Sequence, residues 1–187
     1  MTLIKLNENQ IAQIYQEELV FDFPQDEVKP LERLLQMLHD GIYFGYGLYE
    51  NETLRGYAFF VESKKENAVL LDYYAVLRRQ RSGGIGSQFL SLLQAELRNF
   101  DALLLESEAI DKAKNQEEAS IRTRRIAFYL RNGVRKTGVR ASVFGVEYEI
   151  LCLDEQKTYS EQELRKALSD IYHQMFYPKY IDQATIF

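Results

Sequence analysis

The sequence predicts an α/β fold: a mixed, mostly antiparallel central sheet of about seven strands flanked by helices, with one extra helix at the C-terminal end. Three observations carry this. Apolar residues recur at helical spacing in separate segments, such as Ile11, Ile14, Tyr15 and Leu19. Aromatic-rich runs bounded by turn residues lie between them. The nearly continuous apolar run at 102–107, Ala-Leu-Leu-Leu-Glu-Ser, reads as a buried strand covered on both faces.

Taken in order, residues 2–6 suggest a short strand, and Asn7 with Gln10 forms a capping-box start for the first helix. Pro24 breaks that helix. Pro30 suits a first helical position, and Leu31, Leu34, Leu35 and Leu38 make an apolar stripe that ends before Gly41. Residues 42–50 and 53–63 read as strands of a hairpin turning at Glu50-Asn51-Glu52, and 67–77 as the next strand. A helix then carries Ile85, Phe89, Leu92, Leu93 and Leu97 on its inner side. After the buried strand at 102–107, the polar, acidic stretch 108–118 reads as a loop or lead-in, followed by a helix at 116–132 ending at Gly133. Segments 134–140 and 143–153 read as the last two strands. Ser160 with Glu163 is a second capping box, and Leu164, Leu168, Ile171 and Met175 form one stripe behind it. The division expected is a domain over 1–154 and a helical extension over 155–187 packed on it, with a dimer contact or a pocket wall as the other readings of the extension's aromatics, Tyr172, Phe176, Tyr177 and Tyr180.

The segment 71–86, LDYYAVLRRQRSGGIG, is the richest in chemistry. An apolar strand runs into a basic, glycine-rich turn, Arg81-Ser82-Gly83-Gly84-Ile85-Gly86, that opens a helix. Glycines let the backbone bend tightly and approach a ligand. The unpaired N–H groups and positive dipole end of a helix start favour an anion, a diphosphate above all. The glycines do not follow the dinucleotide pattern Gly-x-Gly-x-x-Gly, and no Gly-Lys-Ser/Thr follows as a P-loop requires. An ordinary strand–turn–helix corner is the other reading.

Downstream, Arg125-Ile126-Ala127-Phe128-Tyr129-Leu130-Arg131-Asn132-Gly133-Val134 reads as a helix ending at Gly133 and leading into a strand. Together the two segments resemble the Gcn5-related N-acetyltransferase superfamily. Its coenzyme A motif, Arg/Gln-x-x-Gly-x-Gly/Ala after a strand ending in Ala-Val, matches Ala75-Val76 and Arg81 to Gly86. Its later Phe/Leu-Tyr, three residues, Gly-Phe matches Phe128-Tyr129 and Gly133-Val134. The resemblance spans residues 1–153 and implies an acetyl-coenzyme A-dependent N-acetyltransferase, without a metal, acting on a small-molecule or peptide amine.

Acetyl transfer from a thioester to an amine requires a held donor, a neutral amine, a stabilised oxyanion and a protonated leaving thiolate. The resemblance places the pantetheine amides along Ala75 and Val76, with the Val76 N–H near the thioester oxygen. It places the diphosphate on Arg81, Ser82, Gly83, Gly84, Ile85, Gly86 and Ser87, with added charge from Arg78, Arg79 or Arg81. Tyr129 takes the tyrosine position near the sulfur, where a phenol can protonate the thiolate or hold a water. Asp72 and Glu106 are the candidates for accepting the amine proton, directly or through water. The chain departs from the family pattern in three places. Arg78 replaces a common proline, Gly83 replaces a basic or polar residue, and Arg122 replaces an asparagine.

The remaining features bound the answer. At 187 residues the chain suits one domain with a sizeable core. No apolar run approaches the roughly 18 residues of a membrane span, and the start MTLIKLNENQIAQIYQEE has neither the basic nor the apolar part of a secretory signal. The single cysteine, Cys152, sits in an apolar run and reads as a buried strand residue rather than a nucleophile. No His/Cys/Asp/Glu set has metal spacing. A cytoplasmic protein is expected, with no membrane partner and a homodimer contact as one option. The net charge of −5 argues against bulk nucleic-acid binding. Yet Arg122, Arg124, Arg125, Arg131, Arg135, Lys136 and Arg140 crowd a stretch with no acid. They read either as a basic rim for phosphates or an acidic substrate, or as a solvated face balanced by Asp101, Glu106, Glu108, Asp111, Glu117 and Glu118. Two other functions compete: a non-catalytic acyl-coenzyme A sensor, and an acetyltransferase acting on RNA-bound aminoacyl groups, for which that basic stretch is the support.

Overall fold

The structure, a computed structural model, describes residues 1–25, 27–80, 83–154 and 157–187, the side chain of Gln80 excepted. Its elements run β1 (Thr2–Lys5), α1 (Glu8–Ile14), α2 (Val20–Asp22), α3 (Leu31–His39), β2 (Tyr43–Glu50), β3 (Thr53–Glu62), β4 (Ala68–Val76), α4 (Ile85–Glu96), β5 (Ala102–Glu108), α5 (Gln116–Arg131), β6 (Arg135–Val143), β7 (Val146–Asp154), α6 (Glu161–Met175) and β8 (Ala184–Ile186). The strands follow the order β1-β2-β3-β4-β5-β7-β6-β8. The β4–β5 ladder is parallel. The ladders β1–β2, β2–β3, β5–β7, β6–β7 and β6–β8 are antiparallel. The mixed, mostly antiparallel sheet and the added C-terminal helix are as the sequence predicts. The chain divides into two compact units, Met1–Val61 with Asp72–Ala95, and Glu62–Leu71 with Glu96–Phe187.

In the first unit, Asn7 caps α1 through the expected capping box with Gln10. The helix then widens into a π turn over Tyr15–Leu19 before α2, and Tyr15 Oη donates to the Lys29 carbonyl at 3.0 Å. Pro30 is the cap of α3 rather than its first residue. The buried face of α3 is Arg33, Leu34 and Met37, while Leu31, Leu35 and Leu38 of the expected stripe are half-buried. The β2–β3 hairpin turns at Asn51 and Glu52, both at positive φ (47° and 64°), the backbone a tight two-residue turn demands. Tyr57, Phe59, Phe60, Leu48 and Phe89 are fully buried in this unit.

In the second unit, Ala68 to Leu71 of β4 pair with Ala102 to Leu105. Strand β5 is bonded on its other side by β7, and consecutive residues Ala102 to Leu105 are all buried, so both of its faces are covered, as its continuous apolar run requires. The β6–β7 turn lies at Phe144 (φ 49°) and Gly145 (φ 82°), later than the sequence pattern suggests. The cause is a bulge: the register shifts between Lys136 and Arg140, where Gly138 sits at φ 82°. Strand β8, three residues long, was not legible in the sequence. Cys152 is buried in β7, where burial raises its thiol pKa well above the ordinary value, so it is an inert core residue.

Helix α6 starts on the second capping box, in which Ser160 Oγ accepts from Glu163 N–H and Glu163 Oε2 accepts from Ser160 N–H. The hydrogen bonds from Lys157 and Ser160 hold the Glu163 carboxyl down at about 2, from an ordinary 4.5. A depressed carboxylate stabilises the fold above the unfolded value and loses that effect as pH falls through the folded one. Glu163→Gln is therefore expected to flatten the pH dependence of unfolding between about 4.5 and 2. Denaturant titrations of both forms at pH steps across that window check this, and identical slopes would refute it.

Candidate active site

The first unit supplies the glycine turn. Within β4 the β5 register ends at Leu71↔Leu105, and β4 itself continues to Val76. Leu77 N–H donates to the Arg55 carbonyl at 3.0 Å, and a short 3-10 turn, Arg78–Gln80, follows. Arg81 and Ser82 lie outside the described residues. Gly83 and Gly84 then sit at φ 74° and 81°, the left-handed region that side-chain-bearing residues avoid. A Cβ at either would meet nothing within 4 Å, so their surroundings are open for a ligand to approach. Helix α4 opens at Ile85, and Gln88 N–H to the Gly84 carbonyl (3.1 Å) is the bond that closes its first turn. Ile85, Gly86 and Ser87 are the first three residues of α4, whose N–H groups the helix's own hydrogen-bond ladder does not use. These features fit a diphosphate.

Two residues that the motif reading missed brace this turn. Tyr74 Oη donates to the Gly86 carbonyl at 2.6 Å, and its ring stacks on Phe89 at 5.2 Å. Gly56 lets β3 approach closely, since a Cβ there would lie 2.7 Å from the Ala75 carbonyl oxygen. Ala75 is buried. Arg78, expected to add charge for the donor, instead donates to the Phe21 carbonyl and lies 3.5 Å from Asp22 Oδ1, tying the start of the turn to the end of α2. Tyr57 Oη also donates to Asp22, at 3.2 Å.

Asp72 is engaged through both oxygens. Lys29 Nζ lies 2.6 Å from Oδ1 and Tyr43 Oη donates to Oδ2 at 2.9 Å, with the Asp72 side chain only 2% exposed. Burial first, and then the Asp72 charge, hold the Tyr43 phenol well above its ordinary pKa. Beside it, Tyr73 Oη accepts from Lys29 N–H and donates to the Glu27 carbonyl, both at 2.9 Å. Burial pushes Tyr73 up to about 12 against the opposing Lys29 charge.

The second unit holds Glu106 and Tyr129. Glu106 follows the last β4-paired residue of β5, and Tyr172 of α6 donates its hydroxyl to Oε1. Burial and then the Glu106 charge raise the Tyr172 phenol well above its ordinary value, so it stays a donor. Tyr129 lies near the end of α5, 8% exposed, and burial pushes its phenol up to about 12. The helix end is fixed by Gly133 (φ 90°) and by Val134 N–H donating to the Tyr129 carbonyl at 3.2 Å. Arg122, at the position of the family asparagine, is buried and donates to the Ala109 carbonyl and to Glu108, both at 2.7 Å.

The basic stretch is largely matched by acids. Arg125 meets Glu108, Arg135 meets Asp154, Lys136 meets Glu149, and Arg140 meets Asp111. This is the arrangement of a balanced face. No group of three or more metal-ligating side chains occurs among the described residues. Among them, too, no helix is long and apolar enough to cross a membrane.

A family model described as Acetyltransferase (GNAT) family matches residues 9–133. No curated protein matches by sequence. Among solved structures, a protein of Bacteroides thetaiotaomicron assigned as a GNAT-family acetyltransferase superposes with a TM-score of 0.70 at 19% identity, covering 96% of this chain and 98% of its own. The ribosomal-protein-S18-alanine N-acetyltransferase of Escherichia coli gives 0.61 at 18% identity, covering 86% and 97%. A protein of Salmonella typhimurium assigned as an acetyltransferase, solved with its cofactor acetyl-CoA, gives 0.59 at 18%, covering 86% and 96%. Likeness at these identities shows the fold.

Proposed function

Since the chain belongs to the GNAT acetyltransferase family, we propose that it transfers the acetyl group of acetyl-coenzyme A to a primary amine by direct attack within a ternary complex. The observation that carries this reading is the turn between β4 and α4, where two glycines at positive φ lead into a helix start. Gly83, Gly84 and the N–H groups of residues 85–87 would hold the diphosphate, and the backbone of Ala75 and Val76 the pantetheine arm. Acetyl-coenzyme A supplies an activated thioester.

The chain's own part is to position and to move protons. Tyr129, protonated throughout the neutral range by its burial, is the proposed donor to the departing sulfur. Glu106 is the proposed acceptor of the amine proton, directly or through water. Asp72, already bonded through both oxygens to Lys29 and Tyr43, serves in this reading to hold β4. Among the described residues no activated nucleophile supports a covalent intermediate.

Calorimetric titration with acetyl-coenzyme A, followed by thiol release with a panel of amines, tests the proposal. Saturable binding with amine-dependent release supports it, and a folded chain that binds no acetyl-coenzyme A overturns it. With an acceptor in hand, Tyr129→Phe is expected to lower kcat roughly 100-fold while the donor affinity stays within about twofold. An unchanged kcat would remove Tyr129 from the mechanism.

A further inference from the structure

Away from the glycine turn, the second unit carries an open groove of about 590 Å³. One wall is a single face of α6, bearing Gln162, Arg165, Lys166, Ser169 and His173 at successive turns, and the other is the segment after β3 with Lys65. None of these residues falls within the stretch 9–133 that defines the family, except Lys65. Three permanent cations therefore line one concavity together with two hydroxyl- and amide-bearing side chains and an imidazole.

Two carboxylates, Asp170 and Glu66, share the lining with these three cations. Asp170 is 6% exposed in its side chain and faces inward. Its Oδ2 accepts from Ser63 Oγ (2.6 Å), Gln174 Nε2 (2.9 Å) and Lys65 N–H (3.2 Å). Oδ1 lies 3.1 Å from Lys65 Nζ. Asp170 thus ties the 63–66 segment to α6 and fixes where Lys65 stands, while the Lys65 side chain remains 77% exposed. Glu66 is the second acid of the lining. Arg165 has an exposed i,i+4 ion pair with Glu161 at 3.5 Å, of the kind that water and salt weaken most. His173 is exposed, and its Nδ1 lies 2.7 Å from the Ser169 carbonyl, which orients the ring with Nε2 directed elsewhere.

We propose that this groove is a second ligand site of the chain, taking a free, multiply charged phosphate-class small molecule. An arginine fork pairs with two oxygens of a phosphate, and lysines add point charges that a singly charged carboxylate would leave unused. The groove runs along three turns of α6, about 16 Å at 1.5 Å per residue, a length suited to a small molecule.

The test uses the full chain, isotope-labelled and first saturated with coenzyme A, so that the glycine turn cannot take up the probe. Inorganic pyrophosphate is then titrated while backbone amides are followed by NMR. The expected result is saturable shifts confined to residues 63–66 and 162–173. Arg165→Glu with Lys166→Glu should weaken that binding at least about tenfold, and Lys65→Glu alone should weaken it as well. Acetyl-coenzyme A affinity, measured by calorimetry on the same variants, should stay unchanged and shows that they fold. Citrate, with similar charge but no tetrahedral phosphate, should bind at least about tenfold more weakly. Shifts that never saturate, saturation that survives the charge reversals, or equal binding of citrate would each overturn the assignment.

Discussion

Gly84→Glu is expected to remove acetyl-coenzyme A binding, with a loss of at least about 100-fold in affinity. Two effects act together. Gly84 sits at φ 81°, where any side chain costs about 1–2 kcal/mol in backbone strain. The new carboxylate also stands at the positive end of α4, in the place proposed for the diphosphate, and repels it. Collision is not involved, since nothing lies within 4 Å of a Cβ at this position. Gly84→Ala therefore separates the two effects and should cost about tenfold or less. Calorimetry on the three forms, with circular-dichroism melts to confirm folding, decides the matter. A glutamate variant that binds like the native chain would place the donor elsewhere.

Asp72→Ala is expected to lower stability by about 3–5 kcal/mol. The Asp72 side chain is 2% exposed and pairs with Lys29, itself only 20% exposed, so truncation strands an ammonium and the Tyr43 hydroxyl in a nearly dry place. For a chain of this size, such a loss lowers Tm by roughly 6–20 °C. Lys29→Met added to Asp72→Ala should recover part of it, because the uncompensated charge goes with the lysine. If Asp72→Ala melts within about 2 °C of the native chain, the pair is no support of β4.

Legibility in the sequence followed the range of the interaction concerned. Both capping boxes are encoded within four residues, and both formed as read. The buried strand β5, the Gly133 helix end and the hairpin at Asn51-Glu52 are likewise set by local chemistry. The positive φ of Gly83 and Gly84 belongs with these. Contacts between distant residues left no pattern to read. Lys29 meets Asp72 across 43 residues, and Tyr172 meets Glu106 across 66. Tyr172 counted as one aromatic among many until α6 placed it on that carboxylate. Arg78 read only as one of three arginines that could add charge to the turn, because the carbonyl of Phe21 that it bonds lies 57 residues back. Gly138 hid the β6–β7 turn for a different reason: at positive φ it interrupts the extended run, and Lys136 to Arg140 takes four steps on β6 against two on β7 from Leu151 to Glu149. The π turn at Tyr15–Leu19 and the three-residue β8 are too short to leave a periodic signature.

The hydrogen bond from Ser63 to Asp170 spans 107 residues of chain and has a consequence for biosynthesis. Translation at 5–20 residues per second separates the emergence of these two side chains by roughly 5–20 s. Through that interval the apolar start of β4, Ala68 to Leu71, is outside the ribosome without β5, and later without the β7 and α6 that complete its unit. The second unit cannot close vectorially from its N-terminal end. It closes only when α6 arrives, and until then the apolar start of β4 has no complete core to enter.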